Sequence, residues 1–224
     1  MLWRLKRGLW DYRVMGLWKM QRGTALLQLC FMIVVMIMTG GQVMAVEKTK
    51  TAVFAGGCFW CMQSEFDSEN GVKKTTVGYT GGTKPNPTYE EVSTGKSGHR
   101  EAIEVTYDPE VVTYPRLLEI FWSNVDPLDA KGQFCDKGEQ YKAGVYVTGD
   151  EERAAAQASA MAISKKLGQP VVTDIMTRAP FYTAEEYHQD YYKKSAARYA
   201  QYRAGCGRDE RLEELKKFGA EDLL

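Results

Sequence analysis

The heptapeptide EAIEVTY, residues 101–107, narrows the fold more than any other part of this chain. Its side chains alternate with period two, the pattern of a strand with one buried face, and a helix would scatter them over both faces. Around it, strand-like and helix-like segments alternate unevenly. Further strands are predicted at 50–55, 72–79, 143–148 and 171–176, and helices at 58–68 and 89–93. A third helix should run from a Thr113 cap to about Asn124, with Pro115 tolerated in its first turn. Asp150 should open an Ala-rich helix that Gly168 stops, and Thr183 with Glu186 forms a capping box for a helix through Tyr192. Uneven alternation of this kind points to an α+β fold, a two-layer sandwich with a mixed central sheet and helices packed against it. After Ser195 an Arg- and Tyr-rich sequence, Gly205-Cys206-Gly207 and a last short amphipathic helix read as a long, mostly irregular C-terminal tail wrapped over the surface.

The chain has 224 residues and no formal net charge, but the charge is unevenly placed. Residues 1–23 carry Arg4, Lys6, Arg7, Arg13, Lys19 and Arg22 against the single acid Asp11, and an uncharged stretch, 24–45, follows. Its strongly apolar part, 25–38, has the length of a signal-peptide core and is short for a membrane span. Val43 and Ala45 offer small residues for cleavage before Val46. Residues 1–45 are therefore expected to be a signal peptide or N-terminal membrane anchor, and 46–224 a single exported domain, periplasmic or held on the outer side of the membrane. That domain has 23 basic and 28 acidic residues, a balance of −5, and no basic run, which argues against nucleic acid as a partner.

Four cysteines remain in it: Cys58, Cys61, Cys135 and Cys206. In an oxidising compartment they could form two structural disulfides, although a domain of this size needs no staples to fold. A structural zinc site wants two close ligand pairs. Only Cys58 and Cys61 form one, and neither His99 nor His188 is near a cysteine, so no metal is expected. A thiol–disulfide exchange dithiol at Cys58-Phe-Trp-Cys61 is a second reading, but the usual aromatic before the first cysteine and a matching proline loop are missing. A single nucleophile is the third. Gly56-Gly57 turns the chain off a strand and sets Cys58 at a helix N-terminus, where the helix dipole favours a thiolate. Phe59 and Trp60 would wall the site. Tyr79, Glu101, Asp136 and Tyr141 fall at strand ends or in the long polar loop 126–141, where they could set an acid and phenol donors around one sulfur.

These residues resemble a known family. GCFWC (57–61), GYTGG (78–82), NPTYEEV (86–92), GHREA (98–102) and FWSNVDPLD (121–129) are similar to blocks of the A-class peptide methionine sulfoxide reductases. So are GQFCDKGEQY (132–141), FYTAEEYHQDYY (181–192) and GCGRD (205–209). The resemblance implies reduction of the S epimer of methionine sulfoxide, free or in proteins, with no metal or organic cofactor. It implies Cys58 as nucleophile, Glu101 as acid, and Phe59 and Trp60 as the pocket for the substrate's methyl group. Tyr79, Asp136 and Tyr141 would line the sulfoxide-oxygen side. Cys58 would become a sulfenic acid and then a disulfide, with Cys206 as the resolving thiol and Cys61 or Cys135 as alternatives. Thioredoxin, or a thioredoxin-like dithiol protein in the exported compartment, would supply the electrons. His99 and His188 are expected to hold loop and tail by hydrogen bonds, and Glu185-Glu186 to be solvated.

Overall fold

In the computed structural model, which describes residues 48–217, the strand at 101–107 lies well inside a six-stranded sheet. The strands are β1 (Lys50–Ala55), β2 (Val72–Thr80), β3 (Arg100–Tyr107), β6 (Gly144–Val147), β7 (Asp174–Thr177) and β8 (Phe181–Thr183). Their spatial order is β7-β6-β1-β3-β2-β8, with β6 and β7 parallel and every other neighbour antiparallel. A separate ribbon pairs β4 (Gly132–Gln133) with β5 (Asp136–Lys137) inside the long polar loop.

Helices α1 (Phe59–Phe66), α3 (Tyr114–Ser123) and α4 (Gly149–Leu167) cover one face of the sheet. Phe54, Ile103, Val105 and Val145 point from the strands into that layer, against Met62, Phe66, Leu117, Phe121 and Ile163. Burying side chains of this size contributes about 1.5–3 kcal/mol each, so this layer is the main apolar core. The other face carries a smaller cluster of Val53, Ala55, Ala102 and Tyr146. The mixed sheet with packed helices is thus as expected, and the caps at Thr113 and Gly168 are present. Asp150 lies within the first turn of α4, whose cap position is Thr148.

Two segments differ from expectation. Residues 183–192 do not form one helix. Phe181–Thr183 instead adds strand β8 to the edge of β2, and turns follow until α5 (Tyr191–Lys194). The Gln189 side chain, bonded to both the N–H and C=O of Val77, ties those turns to the sheet, a tertiary contact that overrides the local capping signal. The tail is also not irregular through its described part. It forms α5, α6 (Ala196–Gly205) and α7 (Arg208–Leu215), and it encloses the N-terminal end of α1. Arg208, 1% exposed, donates to the carbonyls of Asn124 and Gly56 and lies over the Phe134 ring. The last of them is the expected short amphipathic helix, burying Leu212 and Leu215. By contrast, α5 and α6 bury no residue and are held by polar side chains, so they leave no apolar periodicity to read.

The expected signal peptide or anchor, residues 1–45, lies outside the described residues. No helix among the described residues is long and apolar enough to cross a membrane.

Candidate active site

Strand β1 ends at Gly56-Gly57, and Gly57 has φ +77°, a conformation that strains any side-chain-bearing residue. A Cβ there would stand 2.5 Å from the Cβ of Gln133. The turn delivers Cys58 to the N-cap position of α1 with an extended ψ of 115°, so its sulfur projects from the helix end. Cys58 lines a cavity of about 250 Å³ together with Phe59, Trp60, Tyr89, Glu101, Asp136, Tyr141 and Tyr202.

The apolar wall is built by packing. Phe59 is buried against Tyr79 and His188. Trp60 stacks on Tyr191, with ring centroids 3.9 Å apart, and donates its Nε1–H to His188 Nδ1 at 3.2 Å. His188 therefore holds the wall, and His99 holds the 82–84 loop through Gly82 and Lys84.

Glu101 closes the opposite side. Period two places it in phase with Ile103 and Val105, so β3 carries a carboxyl on its core-facing side. Its carboxylate accepts a hydrogen bond from the Phe59 N–H at the start of α1, 3.1 Å away. That bond and the helix end favour the ionised form, but burial outweighs them. The carboxyl is pushed up to about 8, so it carries a proton at neutral pH.

The two thiols share one proton. Cys58 is 5% exposed and Cys61 1%, and Cys58 donates a hydrogen bond to Cys61. Burial above all, then that bond and the Cys61 charge, push the Cys58 thiol well up. The thiolate expected on Cys58 from the helix dipole is therefore not the resting form. Cys61 is drawn down to about 7 by the bond from Cys58, against burial and helped by Arg208 and Arg203. It is the thiol that ionises first.

Asp136 and Tyr141 line the cavity as expected, but Tyr79 does not. Its hydroxyl donates to Glu185 at 2.7 Å on the far side of Phe59. Glu185 also accepts from the Tyr89 N–H, so it is a structural acceptor and not merely solvated. Tyr89 occupies the cavity side that was expected for Tyr79, because the Thr88 capping box starts α2 (Tyr89–Ser93) at that residue. The Tyr141 and Tyr89 hydroxyls interact on this side of the cavity. Tyr202, from the tail, was also missed by the sequence reading.

A family model described as Peptide methionine sulfoxide reductase matches residues 50–219. This chain belongs to that family. It is 51% identical over 164 residues to a peptide methionine sulfoxide reductase MsrA of Bacillus pumilus, covering 72% of this chain and 92% of that one. Identity to the Bacillus subtilis MsrA is 49% over 164 residues, 72% and 93% of the two chains. Among solved structures, methionine sulfoxide reductase A of Corynebacterium diphtheriae superposes with a TM-score of 0.61 at 31% identity, over 70% of this chain and 79% of that one. Mxr1 of Saccharomyces cerevisiae in reduced form gives 0.63 at 30%, over 66% and 87%. The chain is accordingly a methionine sulfoxide reductase of the A class, a thiol-dependent oxidoreductase.

The cysteine pairing of this reductase departs from the expected Cys58–Cys206 bond. Cys206 is bonded to Cys135, with Cα atoms 4.9 Å apart, while Cys58 and Cys61 are free. Helix α6 fixes Cys206 beside the β4–β5 ribbon, so it is not on a loose segment. Cys61, in the first turn of α1, also lies beside Cys58 at the cap position and stays a candidate resolving thiol.

Proposed function

We propose that this enzyme reduces the S epimer of methionine sulfoxide, free and in proteins, with Cys58 as nucleophile and Glu101 as proton donor. What carries the reading is that a buried thiol and a protonated buried carboxyl face one cavity with a fixed apolar wall. A sulfoxide sulfur is electrophilic only when its oxygen is protonated or strongly hydrogen-bonded. The Glu101 acid and the Tyr89 hydroxyl supply this, while Phe59 and Trp60 receive the methyl group. Because the two walls are fixed, one epimer at sulfur fits both. The A-class resemblance makes it the S epimer.

As the Cys58 sulfur attacks, its proton passes along the existing hydrogen bond to Cys61. The oxygen then transfers from the methionine sulfur to the Cys58 sulfur as the S–O bond and the transient sulfur–sulfur bond break, so that methionine leaves and Cys58 is left as a sulfenic acid. Cys61 then displaces water to give a Cys58–Cys61 disulfide. That bond is buried, whereas Cys135 is exposed. We infer that the oxidation passes by thiol–disulfide exchange to Cys135 and Cys206, which a thioredoxin-like dithiol protein reopens, itself becoming a disulfide. The basic and apolar segments of residues 1–45 favour an exported enzyme that repairs oxidised exported proteins. Unchanged recycling in cells stripped of exported thioredoxin-like proteins would overturn this last point.

The central test is consumption of separated S and R epimers of a blocked methionine sulfoxide by the full chain with dithiothreitol, compared with its Cys58→Ser variant. Loss of the S epimer alone, absent in the variant, is expected. Consumption of the R epimer, or activity without Cys58, would overturn the reading.

A further inference from the structure

Tyr202 lies in α6, one turn before Cys206, whose backbone N–H donates to the Tyr202 carbonyl at 2.9 Å. The end of this helix is fastened twice to the β4–β5 ribbon. Cys206 is bonded to Cys135, and the Tyr202 hydroxyl donates to the carboxylate of the next residue, Asp136. The Tyr202 ring stands edge-on to Trp60, with centroids 5.8 Å apart and planes at 80°, so its hydroxyl has little freedom to leave the cavity. That hydroxyl lies at the same cavity as the Cys58 side chain, close enough to act on it.

We propose that Tyr202 is a catalytic residue, whose hydroxyl donates to the Cys58 sulfur as Cys58 loses its proton. This rests on the assignment of Cys58 as the nucleophile. A phenol has one proton and here faces two acceptors. While Cys58 is a thiol, the proton is given to Asp136. When negative charge develops on the sulfur, the proton turns to it, and Asp136 keeps the nearby positive charges of Arg208 and Lys137. The other phenols are differently engaged: Tyr141 interacts with Tyr89, and Tyr79 donates to Glu185.

A donor is needed there because the other groups around Cys58 oppose its ionisation. Burial, then Cys61 from the same helix and, once it ionises, Glu101 from β3 raise the thiol, and Asp136 adds a further carboxylate at the same cavity. Arg208 and Arg203 act on Cys61. Burial and the charges of Cys58 and Asp136 push the Tyr202 phenol far up, so it stays a protonated donor throughout the working pH range.

The test uses the full-length enzyme and its Tyr202→Phe variant, which keeps the ring against Trp60. Two quantities are read: the pH midpoint of Cys58 alkylation, resolved from Cys61 by mass spectrometry, and the single-turnover rate on a blocked S-sulfoxide. A hydrogen bond to a charged group is worth roughly one to two powers of ten. The midpoint should therefore rise by about one to two units and the rate fall about 10- to 100-fold. An unchanged midpoint and rate would overturn the inference, because a purely structural tyrosine would move neither. If Tyr202→Phe fails to fold, 3-fluorotyrosine at position 202, a stronger donor, should lower the midpoint, and no change would overturn the inference. Cys58→Ser run in parallel separates the two failures. An active Cys58→Ser overturns the nucleophile assignment and this inference together, whereas an inert one with an unaltered Tyr202→Phe overturns this inference alone.

Discussion

The enzyme has two cysteine pairs near one cavity, which Cys58 itself lines and which Asp136 lines next to Cys135, yet the pairs are built in opposite ways. Cys58 and Cys61 are free, buried and joined by a hydrogen bond at a helix end. Cys135 and Cys206 are covalently joined, tie a ribbon to a late helix, and expose Cys135. The first pair sits at a cavity of about 250 Å³, where a methionine sulfoxide side chain, free or on a protein, can enter. The second sits where a protein can reach. One pair is thus suited to chemistry with the substrate and the other to exchange with a reductant, and Asp136 and Tyr202 lie between them.

Mutations that break this division should differ in size. The largest effect is expected for Cys58→Ser, which should reduce single-turnover sulfoxide consumption to background with both epimers. Next is Glu101→Gln, expected to slow the same step about 100- to 10,000-fold, the usual worth of a positioned general acid. Glu101 works in its protonated form and titrates at about 8. Wild-type activity should therefore fall as pH rises through about 8, a limb the Gln variant should lack. It should also fall as pH drops through about 7, where Cys61 is no longer ionised to take the Cys58 proton; a pH–rate profile checks both.

The two pairs are then separated directly. In Cys61→Ser the sulfenic acid on Cys58 should persist long enough to be trapped by dimedone. In Cys135→Ser the first sulfoxide should be consumed, while recycling by a protein dithiol falls about tenfold or more and dithiothreitol still supports turnover. Equal protein-driven recycling in wild type and Cys135→Ser would mean that the exposed pair takes no part. The smallest effect belongs to Tyr79→Phe. It removes one hydrogen bond to Glu185 and should cost about 1 kcal/mol of stability, read from a denaturant midpoint, with kcat/KM nearly unchanged.

Much of this was legible from residue order. The strand at 101–107 announced itself by period two, and the Gly56-Gly57 break placed Cys58 at the start of α1. Glu101 could have been given more weight, since an acid in phase with Ile103 and Val105 has to be buried with them. Tyr89 could have been preferred to Tyr79. It lies at the start of a short helix that has a complete capping box, while Tyr79 lies on a strand face already filled by Phe59. Tyr202 left no such signal. It is one of several tyrosines in the tail, and nothing local distinguishes it from Tyr199, which bonds Ser64 instead.

Taken alone, the sequence determined the α+β class, the helix that starts at the active cysteine, and the membership of the cavity's apolar wall. All of these follow from local turns, caps and periodicities of 2 or 3.6 residues. Only the tertiary structure decided which thiol ionises first, which cysteines are bonded, and which phenols reach the cavity. Those outcomes depend on burial and on contacts across more than 40 residues, such as Phe59 with Glu101 and Cys135 with Cys206. Burial outweighs the helix dipole at Cys58, and a helix fixed by polar anchors brings Tyr202 to the site. Neither effect has a local periodicity, because each arises from chain segments that meet only when the molecule is folded.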